Sequence, residues 1–476
     1  MRKIYLVTLG LTLVILIAAC GAETPTPPPS PTAAPASPTP PLAEPTPATA
    51  LVTCADIDAN WGNNWPAVLA TLDKLIAADQ RCGEEPLLSK KYAVHYNYAA
   101  SLEGQNETEA AIEQYRAALS IDPQRLEAIN ALFRLDALPR PTPPACLSDS
   151  PPNPDPAPTA EPDATHFVTV TDGALQLDDQ PFSVRGVNYY PRHAPWQHFF
   201  NEADPAKMTD EFTVMREAGF NTVRVFVQYE PLFTCQPEDA IPNVDTFTLI
   251  DTLFDLAEAN DLKLIVTLND LPDLTFRPLY TDRDHYDAQT TYLVRRYRHR
   301  PELLAWDVRN GGDFDFSQDD SRFTETEVID WLEHITALVR EHDPNHIITA
   351  GWDEPAATIP YVDVVALQHW DDPAELPQRI ETLREQSDKP LLLISGGTHS
   401  WPDAPEEAHD EAAQADYLQA LIAQAEAEEL SGWMLWTAFD FVPPPGLPFT
   451  KDYFFGLWRT DLSAKPSLKM LESQLK

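Results

Sequence analysis

The chain has 476 residues and a large excess of acidic side chains, 74 Asp and Glu against 33 Lys and Arg, which gives a formal net charge of −41. So negative a chain repels phosphate backbones and anionic lipid surfaces, which excludes nucleic acid as a partner and disfavours adsorption to a membrane by charge. Its 47 prolines far outnumber its 16 glycines. Because the prolines are concentrated in two tracts, they indicate linkers rather than a property of one fold.

The amino terminus has the pattern of a secretory signal. Arg2 and Lys3 precede an apolar run over residues 4–19 that is short for a membrane span. The run ends in Ile-Ala-Ala-Cys, which resembles the lipobox of bacterial lipoproteins and implies cleavage before Cys20 and lipidation of its thiol. We therefore expect an extracytoplasmic protein, lipid-anchored to a bacterial membrane through Cys20. The alternative is an ordinary signal peptide or an apolar core segment.

Shifts in composition divide the chain into five segments. These are a lipoprotein signal peptide (1–19), a Pro/Thr-rich linker (20–50), an α-helical domain (51–138), a second proline-rich linker (139–163) and a carboxyl-terminal domain (164–476). The first linker has almost nothing to bury and many fixed φ angles, so it should form an extended spacer.

The helical domain contains a segment, residues 92–123, that resembles one tetratricopeptide repeat. Small residues stand where the two helices of such a repeat approach closely, at Ala99, Ala111 and Ala118. A single repeat cannot bury its faces alone, so flanking helices should cover it. Such modules usually bind other proteins, which makes a protein partner a candidate here. The alternative is a helical spacer.

Four cysteines remain besides Cys20, at positions 54, 82, 146 and 235. An even number outside the cytoplasm indicates disulfides, with three possible connectivities. We expect Cys54 to pair with Cys82, because the two flank one short helix. No Cys-x-x-Cys motif or Cys/His cluster has the spacing of metal ligands, so we expect neither a metal nor another cofactor.

The carboxyl-terminal domain alternates buried strands with amphipathic helices. This pattern is typical of a parallel sheet closed into a (β/α)8 barrel. The eight strands are predicted at residues 183–191, 221–226, 263–268, 303–308, 347–350, 362–367, 391–394 and 432–436. The predicted fold class is therefore α/β, a TIM barrel preceded by a smaller all-α domain.

Several of these strands carry recognisable motifs. Strand one contains Arg-Gly-Val-Asn at residues 185–188, strand two contains Arg224, and strand four ends in Trp-Asp-Val-Arg-Asn at residues 306–310. The domain resembles the barrels of clan A glycoside hydrolases, the family 5 cellulases and mannanases and their relatives. The resemblance implies an acid/base Glu directly after the Asn of strand four and a nucleophilic Glu at the end of strand seven.

Both of these carboxylates are missing. Gly311 occupies the acid/base position, and Ser395 occupies the nucleophile position, since Lys389-Pro390 and Gly397 fix the register of strand seven. Retaining glycosidases need two carboxyl groups about 5–5.5 Å apart. Glycine has no side chain, and a serine without a base is a poor nucleophile. The sequence therefore favours a catalytically inactive barrel.

The remaining candidate residues would bind a ligand. The resemblance implies that Arg224 supports the nucleophile, that Asn310 hydrogen-bonds the sugar 2-hydroxyl, and that Trp436 stacks under the sugar. In strand six, Gln368 and Trp370 replace the His and Tyr of the family. The candidate substrate-binding set is Arg224, Asn310, Gln368, His369, Trp370, Trp436 and Tyr190. The alternatives are a buried ion pair for Arg224 and packing for the aromatic residues.

We therefore expect a surface-anchored lipoprotein whose barrel binds carbohydrate or protein. Two alternatives stay open. In the first alternative, the barrel is an active hydrolase of β-linked glucan or mannan with relocated carboxylates, for which Asp313 and Glu354 are the candidate substitutes. Otherwise the protein is structural, and the helical repeat carries its interactions.

Overall fold

The computed structural model describes residues 53–78, 80–82, 87–122, 127–128, 131–132, 135, 137, 165–233, 241–272, 274, 279–281, 283–317, 321–401, 410–443 and 450–475. The predicted signal peptide, both predicted linkers, and Cys20, Cys146 and Cys235 lie outside these residues. Within them, no helix is long and apolar enough to cross a membrane. The domain boundaries, the lipid anchor and the tetratricopeptide assignment stay predictions.

The amino-terminal described segment is helical. Its helices are α1 (Cys54–Asp58), α2 (Trp65–Ala77), α3 (Leu87–Gly104) and α4 (Thr108–Ile121). The small residues Ala99, Ala111 and Ala118 are fully buried in one hydrophobic cluster that α3 and α4 share. A disulfide joins Cys54 to Cys82, with the sulfur atoms 1.98 Å apart, and so links α1 to the segment after α2.

The barrel is built from parallel strands with helices between them. Before it lies a small antiparallel sheet of β1 (Val168–Thr171), β2 (Ala174–Leu177) and β3 (Gln180–Pro181). The barrel strands are β4 (Val184–Tyr189), β5 (Thr222–Phe226), β6 (Lys263–Thr267), β7 (Leu303–Asp307), β8 (Ile347–Thr349), β9 (Gly351–Trp352), β10 (Val365–His369), β11 (Leu391–Gly396) and β12 (Gly432–Leu435). The α-helices of this part are α5 (Phe199–Glu202), α6 (Pro205–Ala218), α7 (Tyr229–Leu232), α8 (Val244–Ala259), α9 (Arg283–Tyr297), α10 (Phe314–Ser317), α11 (Glu325–His342), α12 (Leu376–Arg384), α13 (Glu411–Ala427) and α14 (Pro466–Leu475). Short 3-10 helices lie at Trp196–His198, Pro355–Thr358, Pro373–Glu375 and Lys451–Phe454.

The strand order confirms the predicted (β/α)8 barrel. The sheet runs β8-β7-β6-β5-β4-β12-β11-β10-β9. In the chain, β8 and β9 are separated by Ala350 alone, and they pair with β7 and β10 respectively. Together they form the fifth barrel strand, and their junction closes the ring. The closure places the carboxyl ends of all eight barrel strands on one face, where barrel enzymes carry their active sites.

The opposite end of the barrel is filled with apolar side chains. Val168 and Leu175 of the small antiparallel sheet belong to the same buried cluster as Ile394 and Met434 of the barrel strands. Gly186 leaves room for this packing, because a Cβ there would lie 2.6 Å from Cε of Met434 and 2.8 Å from the carbonyl oxygen of Thr222. A cleft for a ligand is therefore to be sought at the carboxyl ends of the strands.

Barrel strand six differs from its predicted bounds, since it begins at Val365 rather than at residue 362. The Asp363 carboxylate accepts the backbone N–H of Ile348 at 2.8 Å and pairs with Arg340. These contacts hold the residues before Val365 against strand β8, which contains Ile348, and helix α11, which contains Arg340. The strand also ends later than predicted, at His369, so Gln368 and His369 lie on the strand itself and not after it.

A buried carboxylate ties barrel strand one to helix α6. Glu211 is fully buried, accepts the phenol O–H of Tyr189 at 2.6 Å and pairs with the guanidinium of Arg192 at 3.1 Å. Burial raises the pKa of Glu211 from 4.5 to about 7, although the Tyr189 hydrogen bond and Arg192 oppose the shift. The folded protein therefore holds this proton more tightly than the unfolded chain does.

We expect the stability of the protein to fall as the pH rises from about 4.5 to about 7, and Glu211 to cause part of that fall. A carboxyl group whose pKa is raised in the folded state stabilises the fold when protonated and loses that contribution on ionisation. Glu211→Gln should reduce the change in the free energy of unfolding between about pH 4.5 and about pH 7 by roughly 1–3 kcal/mol. Urea unfolding of the wild type and the variant at several pH values measures how the free energy of unfolding depends on pH. The control is Glu217→Gln, at an exposed position on the same helix. If the free energy of unfolding of Glu211→Gln varies with pH in parallel with that of the wild type, Glu211 does not cause the fall in stability.

Candidate functional site

The floor of the barrel mouth is organised around Arg224 on β5, whose side chain is 1% exposed. Its Nη2 donates to Oδ2 of Asp307 at 2.5 Å. Its Nε donates to the Thr267 hydroxyl at 3.0 Å, and its Nη1 donates to Oδ1 of Asn188 at 3.1 Å. These partners stand on β4, β6 and β7, so one guanidinium joins four consecutive barrel strands. Its charge is balanced by Asp307, and the other Asp307 oxygen accepts the backbone N–H of Gly351 at 2.9 Å.

Asn310, which follows β7, continues this network upward. Its Oδ1 accepts from Nη2 of Arg224 at 3.1 Å and from Nε2 of Gln368 at 3.0 Å. Its Nδ2 donates to Oδ1 of Asp270 at 3.5 Å. Both ends of the amide are thus engaged, which fixes the orientation of the Asn310 side chain.

Gln368 connects barrel strand six to the same network. Its Nε2 also donates to the carbonyl oxygen of Gly351 at 2.7 Å, and its Oε1 accepts the indole N–H of Trp370 at 3.2 Å. The Trp370 side chain, held in this way at its N–H edge, is 37% exposed. Gln368 and Trp370 are therefore joined to Asn310 in one hydrogen-bonded network at the carboxyl end of barrel strand six.

His369 lies between them but has different partners. It is fully buried, its Nε2 lies 3.0 Å from the carbonyl oxygen of Asp372, and its Nδ1 lies 3.1 Å from Nη1 of Arg379. With Nδ1 as acceptor and Nε2 as donor, both ring nitrogens are satisfied. Burial lowers the pKa of His369. These contacts bind the residues after β10 to helix α12 and leave His369 without a contact to the Asn310 network.

Tyr190, which follows β4, donates its phenol O–H to the carboxylate of Asp270. Asp270 is 3% exposed, and burial raises its pKa. Trp436 is half-buried beside them, in edge contacts with Tyr190 and Phe226 at centroid distances of 6.3 and 5.8 Å. Tyr190 and Asp270 are therefore buried against each other, and of these three residues only Trp436 is partly exposed.

Gly311, which follows Asn310, has a left-handed conformation, with φ +59°. Its N–H donates to the carbonyl oxygen of Gly351 at 2.8 Å. A Cβ at this position would lie 2.9 Å from Cδ2 of Phe314. The space beside Gly311 is therefore occupied by the Phe314 ring. The sequence does not single out Phe314, because the order of residues in this loop does not show which side chain lies beside Gly311.

Ser395 lies on β11, is 1% exposed and is in register with Gln368 of the neighbouring strand. Beyond it, a Cβ on Gly397 would lie 2.4 Å from the carbonyl oxygen of Trp436, so this position requires glycine. Neither Gly311 nor Ser395 carries a group that titrates near neutral pH.

The two candidate substitutes have other contacts. Asp313 is buried and accepts the backbone N–H groups of Asp353 and Glu354 at 3.4 and 2.8 Å, which fastens the loop after β7 to the loop after β9. Burial raises the pKa of Asp313. The Glu354 side chain is 76% exposed and pairs with Arg379 at 3.4 Å. Among the described residues, no group of three or more His, Cys, Asp or Glu is arranged to hold a metal ion.

Comparison with known families agrees with this architecture. Residues 175–383 match the model of the cellulase family, glycosyl hydrolase family 5. This part of the barrel is therefore similar to glycosyl hydrolase family 5. The matched region includes Gly311 and ends before β11, so it does not reach Ser395.

The similar proteins include several that act on mannan. The mannan endo-1,4-beta-mannosidase F of Aspergillus clavatus is 23% identical over 229 residues, which is 41% of this chain and 51% of that protein. The chain thus spans about half the length of this curated relative.

Solved structures show the same fold. They include an endo-1,4-beta-mannanase from Rhizomucor miehei, 16% identical, with a TM-score of 0.51 over 65% of this chain and 98% of that one. An exo-beta-1,4-mannosidase from Opitutaceae bacterium strain TAV5 is 19% identical, with a TM-score of 0.53 over 66% and 62% of the two chains. A GH5_18 variant from Streptomyces cattleya in complex with Manβ1-4GlcNAc is 20% identical, with a TM-score of 0.53 over 62% and 80%.

Proposed function

We propose that this protein is a surface-anchored lipoprotein whose family 5 barrel is catalytically inactive and binds a β-linked polysaccharide at the carboxyl ends of its strands. The observation that carries the proposal is the backbone at Gly311. Its φ is left-handed, and a Cβ there would lie 2.9 Å from Cδ2 of Phe314, so a side chain at this position would strain the backbone and require the ring to shift. This geometry supports the proposal that the loop after β7 carries no acid/base carboxylate.

Three further observations support a carbohydrate ligand. Trp436 is half-buried and presents part of its indole to the mouth, and aromatic side chains suit stacking against sugar rings. Asn310 has the place that the family resemblance gives to the residue that hydrogen-bonds the sugar 2-hydroxyl, and Arg224 donates to its Oδ1 at 3.1 Å. The named relatives include enzymes that act on mannan.

One observation favours a second candidate, an active hydrolase. Asp270 is a buried carboxyl group with a raised pKa, hydrogen-bonded by Tyr190 and close to Asn310. A general acid must hold its proton near the working pH, and burial of a carboxyl group is a common means to that end. Asp270 could therefore protonate a leaving group in the mouth if a second carboxylate acted with it.

The deciding experiment measures binding and hydrolysis on the same protein. The purified full chain is mixed with galactomannan, mannan and soluble β-glucan, and both retardation in affinity electrophoresis and release of reducing ends are followed. The proposal predicts retardation without release. Release that is lost in Asp270→Asn, Asp313→Ala or Glu354→Ala would overturn it and identify the relocated carboxylate. The anchor is tested separately, since incorporated palmitate should be lost in Cys20→Ser.

A further inference from the structure

A carboxylate of the helical segment, which comprises α1 to α4 and the described residues up to Ala137, contacts the barrel. The helical segment and the barrel belong to one compact unit. Glu127 is next in the chain to Ala128, which is fully buried in the cluster that α3 and α4 share. The Oε1 atom of Glu127 accepts Nε2 of Gln197 at 3.5 Å and lies 3.5 Å from Nε2 of His198. Glu127 therefore joins the helical segment to the loop after barrel strand one.

His198 is held in place on the barrel side of this contact. It is the last residue of the 3-10 helix that begins at Trp196, directly before α5. Trp196 makes an edge contact with Phe441 at a centroid distance of 5.1 Å, and Phe199 makes one with Tyr190 at 6.0 Å. These rings connect the loop to the end of β4 and to the residues after β12. The imidazole therefore stands on a support that is packed against the barrel.

Both ring nitrogens of His198 face carboxylate oxygens. Its Nδ1 lies 2.8 Å from Oε1 of Glu202 on α5, and its Nε2 faces Glu127. Among the described residues, these two carboxylates are the charged groups that pair with it. A neutral imidazole has one N–H and one lone pair, so it can donate to only one carboxylate, and the other then faces the lone pair. Only the protonated ring donates to both. Since the side chains of His198 and Glu127 are 11% and 12% exposed, water replaces little of a lost bond.

We propose that Glu127, His198 and Glu202 form a proton-dependent contact that docks the helical segment on the barrel, and that this contact weakens when His198 is neutral. The hydrogen bond to Glu127 raises the pKa of His198, burial opposes the rise, and Glu202 adds to it. A histidine whose pKa is raised by a contact strengthens that contact while it is protonated and loses this contribution as the pH rises through its pKa. Docking is therefore tighter in mildly acidic than in mildly alkaline solution.

An NMR titration of the histidine rings in the full chain tests whether the contact exists. The His198 signal is assigned by its absence from the spectrum of His198→Gln. We expect His198 to titrate at a higher pH in the wild type than in Glu127→Ala. The control is Asp178→Asn, which removes the partner of the exposed His166 and should leave the titration of His198 unchanged. If His198 has the same pKa in Glu127→Ala as in the wild type, the contact is absent and the inference is wrong.

Hydrogen exchange of the full chain measures docking from both sides of the contact. The peptides that contain Glu127 and His198 are followed at about pH 5.5 and about pH 8, below and above the range in which histidine titrates, with rates corrected for intrinsic exchange. In the wild type, both peptides should exchange about tenfold faster at the higher pH, the factor expected for one charge-assisted hydrogen bond. Glu127→Ala should exchange at the faster rate at both pH values. Thermal melts establish that each variant is folded.

Glu127→Gln separates the role of the proton from that of the side chain. The new amide can donate to Nε2 of a neutral His198 while Nδ1–H donates to Glu202, so both ring nitrogens are satisfied without protonation. This variant should therefore exchange slowly at both pH values. If it responds to pH as the wild type does, or if the wild type exchanges equally at both pH values, the proton on His198 does not control docking. A response in only one of the two peptides would show a local change and would also overturn the inference.

Discussion

Arg224→Ala should lower the free energy of unfolding by about 3–5 kcal/mol, the cost expected when one member of a buried ion pair is removed. The substitution leaves the Asp307 carboxylate, which is fully buried, without its cationic partner. It also removes the donors to Asn188 and Asn310, and buried acceptors that lose a donor carry their own desolvation cost. Urea unfolding of wild type and variant, followed by tryptophan fluorescence, gives the difference.

The matched control is Arg216→Ala. Arg216 pairs with Asp261 at 3.2 Å, but the two side chains are 45% and 88% exposed. An exposed pair of this kind contributes about 0–1 kcal/mol. If Arg224→Ala lowers the free energy of unfolding by no more than Arg216→Ala does, the hydrogen bonds of Arg224 do not hold the four barrel strands together.

The barrel could be predicted because its signals are local and repeated. Each strand is a short apolar run, each is separated from the next by a helical pattern, and the motifs around Arg224 and Asn310 occur in the expected order. The bounds of strand six could not be predicted, since they depend on Asp363, which is engaged by Arg340 and Ile348 from another part of the chain.

The connections among the candidate site residues could not be predicted from the sequence. The motif predicts Gln368 and Trp370 as site residues, and the structure places them on one hydrogen-bonded network with Asn310. The same motif predicts His369, yet its partners are Arg379 and Asp372. The direction of a side chain at the end of a strand depends on which groups from distant elements reach it. A motif does not contain this information.

The exposure of the Phe314 side chain also could not be predicted from the sequence. Its exposure follows from the left-handed turn at Gly311 and from the contacts of Asp313 and Asp315. None of these can be read from the order of residues in that loop, because a glycine adopts left-handed and right-handed conformations about equally readily. The glycine at position 311 can be read in the sequence, whereas the place of the Phe314 ring beside it is seen only in the structure.

Gly311→Glu, which places a carboxylate at the position that we propose corresponds to the acid/base residue of the family, should destabilise the protein by about 2–4 kcal/mol and give no hydrolysis. A side chain at φ +59° costs about 1–2 kcal/mol, and displacement of the Phe314 ring from its position 2.9 Å from the new Cβ adds an overpacking cost of similar size. Unfolding in urea and reducing-end release from mannan and β-glucan measure the two effects.

Two alanine variants separate the causes. Gly62 also has a left-handed φ, +77°, but a Cβ there would meet nothing within 4 Å, so Gly62→Ala should show the backbone cost alone. Gly311→Ala should cost more than Gly62→Ala by the amount that the Phe314 contact adds, and Phe314→Ala in the same chain should cancel that excess. Equal costs at the two glycines would mean that the ring yields freely and that the loop could still accept a side chain. Hydrolysis of mannan or β-glucan by the Gly311→Glu variant would contradict the prediction more strongly. It would mean that the new carboxylate acts together with a second catalytic group, one that Ser395 does not supply.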